Sequence, residues 1–493
     1  MPASPDIVII GSGMGGATVA AGLAPSGASI LILERGERIE DTPETRDVNA
    51  IFGRGHFRPK ETWHDPAGTP FNPGNYYYVG GNTKLYGAVL IRYRAEDFVP
   101  RDLPGGPVPG WPIGYDELEP WYTAAEALYR VRGCLGEDPT EPPHSAAYPH
   151  PPVPDEPVIA ETRARLAREG LHPFSLPLGV DVETWLKRAA TPWDAYPDTR
   201  TGKMDAETCG LAAALAHRNV RLETGALVER LEAGPDGRVA TVVYRRHGEE
   251  VRLSPRLVIL AAGAVNSALL LLRSGLADRS GQVGRNFMNH NSSAMLAIDP
   301  RRPNTSVYQK TLGLNDFYLD DGRGGGPLGN VQLLGKITGP ILKAQIRWAP
   351  AFATALMGRH STDWYLMSED LPNPESRVFY DGDRVVLDWR RSNWDAHLAL
   401  VARWREVLRA IDTPVVLSRP FDRRTPSHQC GTLRMGADPA AAPVRPDLRA
   451  WHHDNLWVVD ASVLPTSAAV NPSLTVAALA LRAAAHIRKE LTS

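Results

Sequence analysis

The sequence predicts an α/β protein with a parallel sheet flanked by helices and a separate region of short strands. Three observations carry that prediction. DIVIIG (6–11) is a short apolar strand followed at once by GSGMGG (11–16), an Ala-rich helix and a second buried strand, SILILE (29–34). RLVILAAGAVNSALLLLRSG (256–275) repeats the order as strand, small-residue turn and apolar helix. WYLMSED (364–370), SRVFYD (376–381) and RVVLDW (384–389) are short strand-like runs separated by DLPNPE and DGD turn signals.

The first unit is a βαβ element with Gly11, Gly13 and Gly16 at dinucleotide-binding spacing. Gly11 permits the tight turn, Gly13 lets the backbone approach a pyrophosphate, and Gly16 lets helix and strand pack closely. The helix start offers free N–H groups and a partial positive charge to phosphates. Glu34 closes the second strand, where it is placed to accept hydrogen bonds from a ribose diol. A carboxylate there would repel a 2′-phosphate, which argues against NADP. It does not separate NAD from FAD. A single glycine motif is weak evidence, but here the strands, the helix and the acidic residue agree.

Further along, YYYVGGNTKLYGAVLIRYRAEDF (76–98) places Gly80 and Gly81 before Asn82. NVRLETGALVERLE (219–232) alternates like one strand, and a GPDGR turn leads to its expected hairpin partner, VATVVYRRH. Residues 135–160 and 320–330 are rich in Pro or Gly and read as loops, candidates for surface excursions or a lid.

Bulk properties narrow the field. A chain of 493 residues exceeds one ordinary core, so two domains or one elaborated domain is expected. A net charge of −2 gives no global field to recruit nucleic acid or an anionic membrane. Cys134, Cys209 and Cys430 make neither a disulfide framework nor a CxxC pair, which favours a reducing compartment. No secretory n-region or h-region precedes the first strand, and no apolar run reaches 18 residues. A cytoplasmic protein is the expectation.

TPSHQCGTLRMG (425–436) leaves several readings open on its own: metal ligands, a nucleophile with its base, a catalytic histidine with an incidental neighbour, or a packed loop. His428 and Cys430 alone are a poor zinc site, which needs three or four ligands. No other His/Cys cluster supplies the rest, so no metal is expected.

The order of GSGMGG with Glu34, GGNTKLYGA, GWPIGYDELEPWY (110–122), GAVNSALLLLRSG (263–275), VGRNFMNH (283–290), HQCGTLRMG and NLWVVDASVLPTSAAVNPSLTVAALALRAAAHI (455–487) resembles the glucose–methanol–choline (GMC) family of FAD-dependent oxidoreductases. The resemblance spans most of the chain and is loose only from about 300 to 425. It implies a Rossmann-like FAD-binding domain made of residues 1–100, 200–300 and 430–493. Residues 101–199 and 301–429 would form an inserted α+β substrate domain with an antiparallel sheet. It implies oxidation of an alcohol group, on a sugar, glycoside or other hydroxylated small molecule, with O2 or a redox partner as acceptor.

It also implies the site. His428 maps to the base and Asn471 to its polar partner on the substrate oxygen. The expected cofactor-binding set is Gly11, Gly13, Met14, Gly16, Glu34, Arg35, Gly80, Gly81, Asn82, Val228, Ala262, Asp460, Ala461, Pro472 and Thr475. Some family members attach FAD covalently to a histidine near the paired glycines. The window 76–92 has no histidine, so FAD is expected to be non-covalent, and His56 and His64 read as surface or lid residues. Trp364, Tyr365, Trp193 and Tyr196 are candidates either for stacking on a sugar ring or for core packing. The rival reading is a flavoprotein doing lyase-type chemistry, or a flavin-binding partner that oxidises no alcohol.

Overall fold

The computed structural model describes residues 4–188, 194–425 and 428–492. Its organising element is a five-stranded parallel sheet in the order Leu456–Val458, Leu257–Leu260, Ile7–Ile10, Ile30–Leu33, Val220–Glu223. The three inner strands are buried at every residue. A parallel sheet covered on both faces requires this, and their unbroken Val/Ile/Leu runs provide it. The first strand of the chain is central, and the last strand forms one edge.

The helix Met14–Leu23 and the final helix Ser473–Thr492 cross at small residues: a Cβ on Gly22 would lie 2.6 Å from the Cβ of Ala484. Tyr115–Leu128 packs on the final helix, with Tyr122 and Thr475 hydroxyls 2.8 Å apart and Arg482 paired with Glu117.

The second large sheet has six strands, in the order Val415–Pro420, Asn291–Ile298, Ser361–Ser368, Asn330–Leu333, Leu312–Leu314, Phe174–Ser175, all antiparallel. The helix Trp394–Ala410 covers it, packing Leu400, Trp404 and Leu408 among Met295, Trp364 and Leu366. Trp364 is fully buried, with its ring 4.7 Å from that of Trp404, and is therefore core and not a sugar platform. Tyr196 is also core, packed edge-on against Phe52. Trp193 lies outside the described residues.

One expectation from alternation fails. NVRLETGALVERLE is two strands and not one: Val220–Glu223 ends the parallel sheet, and Leu227–Ala233 starts a three-stranded antiparallel sheet. Gly225, at φ +63°, lets the chain change sheets between them, a local conformation that period-2 patterning cannot register. The expected hairpin partner is present as Val239–Arg246. The runs 376–381 and 384–389 pair with each other as Arg377–Asp381 and Arg384–Asp388. Their sheet is completed by Trp63–His64 and Pro70–Phe71. Residues 135–156 and 320–329 carry no helix or strand, while Pro157 starts the helix Pro157–Arg168. Among the described residues, no helix is long and apolar enough to cross a membrane.

Candidate active site

The C-terminal ends of the parallel strands are built for close backbone approach. Gly11 has φ +101°, and a Cβ on it would lie 2.4 Å from the Ala261 carbonyl oxygen. A Cβ on Gly16 would lie 2.0 Å from the Gly11 oxygen, so helix and strand touch through glycine as the spacing implied. Gly13 differs: nothing lies within 4 Å of its Cβ position, and its backbone has φ −68°. It caps the helix Met14–Leu23, whose start has no side-chain cap and no acidic residue in its first turn. Its N–H groups are left for an anion.

Gly81, at φ +57°, faces this loop, with its Cβ position 3.2 Å from the Gly13 Cα. Ser12 ties the two segments: its hydroxyl lies 3.1 Å from the Gly80 N–H, which donates to it, and donates to Glu34 at 2.7 Å. Glu34 also accepts from the Ser12 and Gly36 amides at 3.0 and 2.9 Å. Burial pushes its pKa up against those bonds. Its oxygens hold the loop, with lone pairs to spare. Arg35 lies over the Tyr77 ring at 3.8 Å, and the Asn82 side chain accepts from the Tyr76 amide.

The chain's far end closes the same region. Asp460 accepts from the Gly263 amide at 2.9 Å and from the Ser267 hydroxyl, and caps Ala461–Val463 through the Ser462 amide. Gly11, Gly13, Gly81, Ala262, Ala461 and Asn471 are all part-exposed among largely buried neighbours. They fit an extended, phosphate-bearing cofactor laid across both glycine turns. Met14 and Pro472 are buried beside them, Val228 sits half-buried opposite Tyr244 on the three-stranded sheet, and the Thr475 hydroxyl is turned to Tyr122.

His428 and Asn471 come together: the Asn471 amide Nδ2 lies 3.2 Å from His428 Nε2. Asn471 directly precedes Pro472 and the final helix, whose N-terminal dipole therefore points at this spot. His428 has φ +69°, an unusual conformation for a non-glycine residue, concentrated at sites held by their surroundings. What holds it is an antiparallel bridge between Met288 and Cys430, with amide–carbonyl distances of 3.0 and 2.9 Å. Two residues along each chain, His290 meets His428, with Nδ1 atoms 2.8 Å apart. Tyr365 stands edge-on to the His428 ring, and its hydroxyl donates to Ser292 at 3.0 Å.

Burial, then the nearby His290 and Lys310, hold the His428 pKa well below the usual imidazole value. His290 is lowered to about 4 by burial. Both rings are neutral at neutral pH, the state a base requires. Cys430 is fully buried with its thiol pKa pushed far up by burial, so it is an inert packing residue beside the site. Among the described residues, no group of three or more His, Cys, Asp or Glu is arranged to hold a metal ion.

Sequence reading did not assign roles to Ser12, Ser267, His290 and Gln332. Ser12 sits inside the glycine motif, and Ser267 and His290 within quoted segments. Gln332, whose amide donates to Asn471 Oδ1 at 3.0 Å, lies on an ordinary strand with no motif to mark it.

Two glycine turns in close approach, and elsewhere a buried histidine paired with an asparagine at a helix start, are parts that a dinucleotide-dependent oxidoreductase needs. The chain belongs to the GMC oxidoreductases: family models described as GMC oxidoreductase match residues 193–292 and 384–480. It is 30% identical to 6'''-hydroxyparomomycin C oxidase of Streptomyces lividus, over 99% of this chain and 92% of that one. It is 28% identical to 2-methyl-1,2-propanediol dehydrogenase of Mycolicibacterium austroafricanum, over 99% and 96%. Among solved structures, pyridoxine 4-oxidase from Mesorbium loti superposes with a TM-score of 0.66 at 22% identity, covering 98% of this chain and 99% of that one. The formate oxidase of Aspergillus oryzae RIB40 gives 0.67 at 16%, covering 99% of both. Both structures share the fold. The family acts on CH–OH groups with a flavin, and this chain is an oxidoreductase of that kind.

Proposed function

We propose that the protein oxidises an alcohol group of a sugar, glycoside or similar hydroxylated small molecule to a carbonyl, with FAD held non-covalently. The observation that carries this reading is the 3.2 Å contact between Asn471 and the Nε2 of His428 at the start of the final helix. When bound, FAD supplies the hydride acceptor. His428 takes the hydroxyl proton at Nε2, a contribution of roughly 10²–10⁴ in rate. Asn471, which cannot take a proton, displaces to hold the same oxygen and fix its approach. The final helix's N-terminus favours negative charge at this spot.

In this reading Gly11, Gly13 and Met14, with Gly16 behind them, serve the pyrophosphate, Glu34 the ribose, and Gly81 and Ala262 the close backbone approaches. Gly80, Asn82, Arg35, Asp460, Ala461, Pro472 and Thr475 support these segments, and Val228 lies on the adenine side. In the proposed domain division, residues 1–100, 200–300 and 430–493 bind FAD, and 101–199 and 301–429 handle substrate. The parallel sheet draws all its strands from the first group. Helix Tyr115–Leu128, though in the second, packs on the FAD side, and strand Asn291–Ile298 crosses the other way.

A sugar-like substrate is supported by relatives named paromamine 6'-oxidase and fructose dehydrogenase large subunit. The acceptor is O2 or a redox partner. Three free cysteines fit a cytoplasmic setting. Anaerobic addition of a panel of sugars, glycosides and simple alcohols is expected to bleach the flavin. A holoprotein whose flavin no alcohol reduces would instead favour the lyase-type or binding-partner reading.

Non-covalent attachment predicts that the acid-denatured protein has the bare polypeptide mass, with all FAD in the supernatant. His64 lies in the short strand Trp63–His64, paired with Pro70, and His56 is exposed. Retained flavin mass would overturn the prediction and direct attention to them.

The depressed pKa of His428 predicts the acid limb. The base works when neutral, so kcat/KM falls only as pH drops through its lowered pKa. The rate plateau should therefore extend below pH ~6.5, the unperturbed imidazole value. A limb centred at or above that value in a stopped-flow pH series would sink this point.

A further inference from the structure

Five groups in the site form one line of hydrogen bonds. Gln332 Nε2 lies 3.0 Å from Asn471 Oδ1, and Asn471 Nδ2 lies 3.2 Å from His428 Nε2. His428 Nδ1 lies 2.8 Å from His290 Nδ1, and His290 Nε2 lies 2.9 Å from the Ser467 carbonyl oxygen. One end is an acceptor that cannot be turned round. A carbonyl only accepts, and Tyr93 also donates to this one at 2.8 Å.

The direction of the whole line follows. His290 Nε2 must carry a hydrogen to meet the carbonyl, so the Nδ1 of a neutral His290 is a lone pair. His428 Nδ1 must then carry a hydrogen, or two lone pairs would face each other at 2.8 Å. That leaves His428 Nε2 as the bare nitrogen, which accepts from Asn471. The alternative needs His290 doubly protonated, and burial opposes that charge.

We infer that His290 is a positioning residue that fixes His428 in the Nδ1–H tautomer and so presents the Nε2 lone pair to the substrate hydroxyl, with Gln332 orienting the Asn471 amide from the other side. The inference deepens the reading of His428 as base and rests on it. When His428 takes the hydroxyl proton at Nε2, its Nδ1–H keeps its acceptor, so no second proton need move. His290 is placed for this by register: it lies opposite His428 across the Met288–Cys430 bridge. It is 3% exposed, so its ring is held in place by its two hydrogen-bond partners and the surrounding packing.

The test is made on FAD-loaded protein labelled with 15N-histidine, reading the ring nitrogens of His428 by long-range NMR correlation. Assignment comes from loss of those signals in His428→Asn. The wild type is expected to show a protonated Nδ1 and a bare Nε2. In His290→Leu, which removes the acceptor, the signals should move to the Nε2–H form or a mixture. Anaerobic flavin reduction by methyl glucoside and by benzyl alcohol should then slow at least about tenfold, with apparent Kd little changed. His290→Gln should restore tautomer and rate to within about threefold, since its amide offers an acceptor to His428 and a donor to Ser467.

Nε2–H in the wild type, or an unchanged tautomer and rate in His290→Leu, would overturn the inference. Should His290→Leu not fold, the wild-type spectrum and His290→Gln still decide it. If neither alcohol reduces the flavin while His428 shows Nδ1–H, the tautomer assignment stands and the alcohol-oxidation reading is what fails.

Discussion

Replacing His428 with alanine is expected to slow reduction of the flavin by alcohol about 10²–10⁴-fold while the purified protein stays yellow. The loss is large because Asn471, the side chain in contact with Nε2, has no proton affinity to take over. Flavin retention is expected because the proposed cofactor-binding segments, Gly11, Gly13, Gly81 and Asp460, make no contact through the His428 ring. The backbone at φ +69° disfavours alanine, so His428→Asn is the better control: asparagine tolerates that region. Both variants should lose the same rate. Stopped-flow reduction within threefold of wild type in either one would remove His428 from the mechanism.

The second large effect separates two glycines that look equivalent in the motif. Gly11→Ala places a Cβ 2.4 Å from a backbone oxygen at φ +101°, so it should destabilise the fold by a few kcal/mol as well as abolish FAD binding. Gly13→Ala meets nothing and suits its φ of −68°. It should melt within about 1 °C of the cofactor-free wild type, a shift that corresponds to about 1 kcal/mol for a chain of this length. Yet its methyl group would occupy the path of the pyrophosphate, and FAD retention should fall more than tenfold. Gly13→Ala protein that is as yellow as wild type would show that the cofactor does not pass over this residue.

How much of this was legible from sequence depends on whether the physics was local. The parallel sheet was readable because its three inner strands are uninterrupted apolar runs, and the glycine turns because positive φ and close approach demand one residue type. His428 and Asn471 were legible only through the family's order of motifs, since neither the HQC loop nor the Asn-Pro pair specifies chemistry by itself. The break at Gly225 was hidden because both strands keep the same alternation across it. Gln332 and His290 were hidden for a different reason. Their roles exist only in the pairing of segments far apart in the chain, and a glutamine on a buried strand has no local signature. Trp364 illustrates the converse: an aromatic residue suited to a sugar is spent on the sheet-to-helix core against Trp404.

The edge strand Leu456–Val458 and the Asp460 cap have a consequence for how the molecule is made. The parallel sheet holds Ile7–Ile10 at its centre and Leu456–Val458 at its edge, strands separated by more than half the sequence in between. The Met288–Cys430 bridge likewise waits on residues made late. Pairings of such sequence separation form slowly, after the intervening chain has collapsed. The loop that carries His428 and the Asp460 cap are therefore among the last parts of the fold to be fixed.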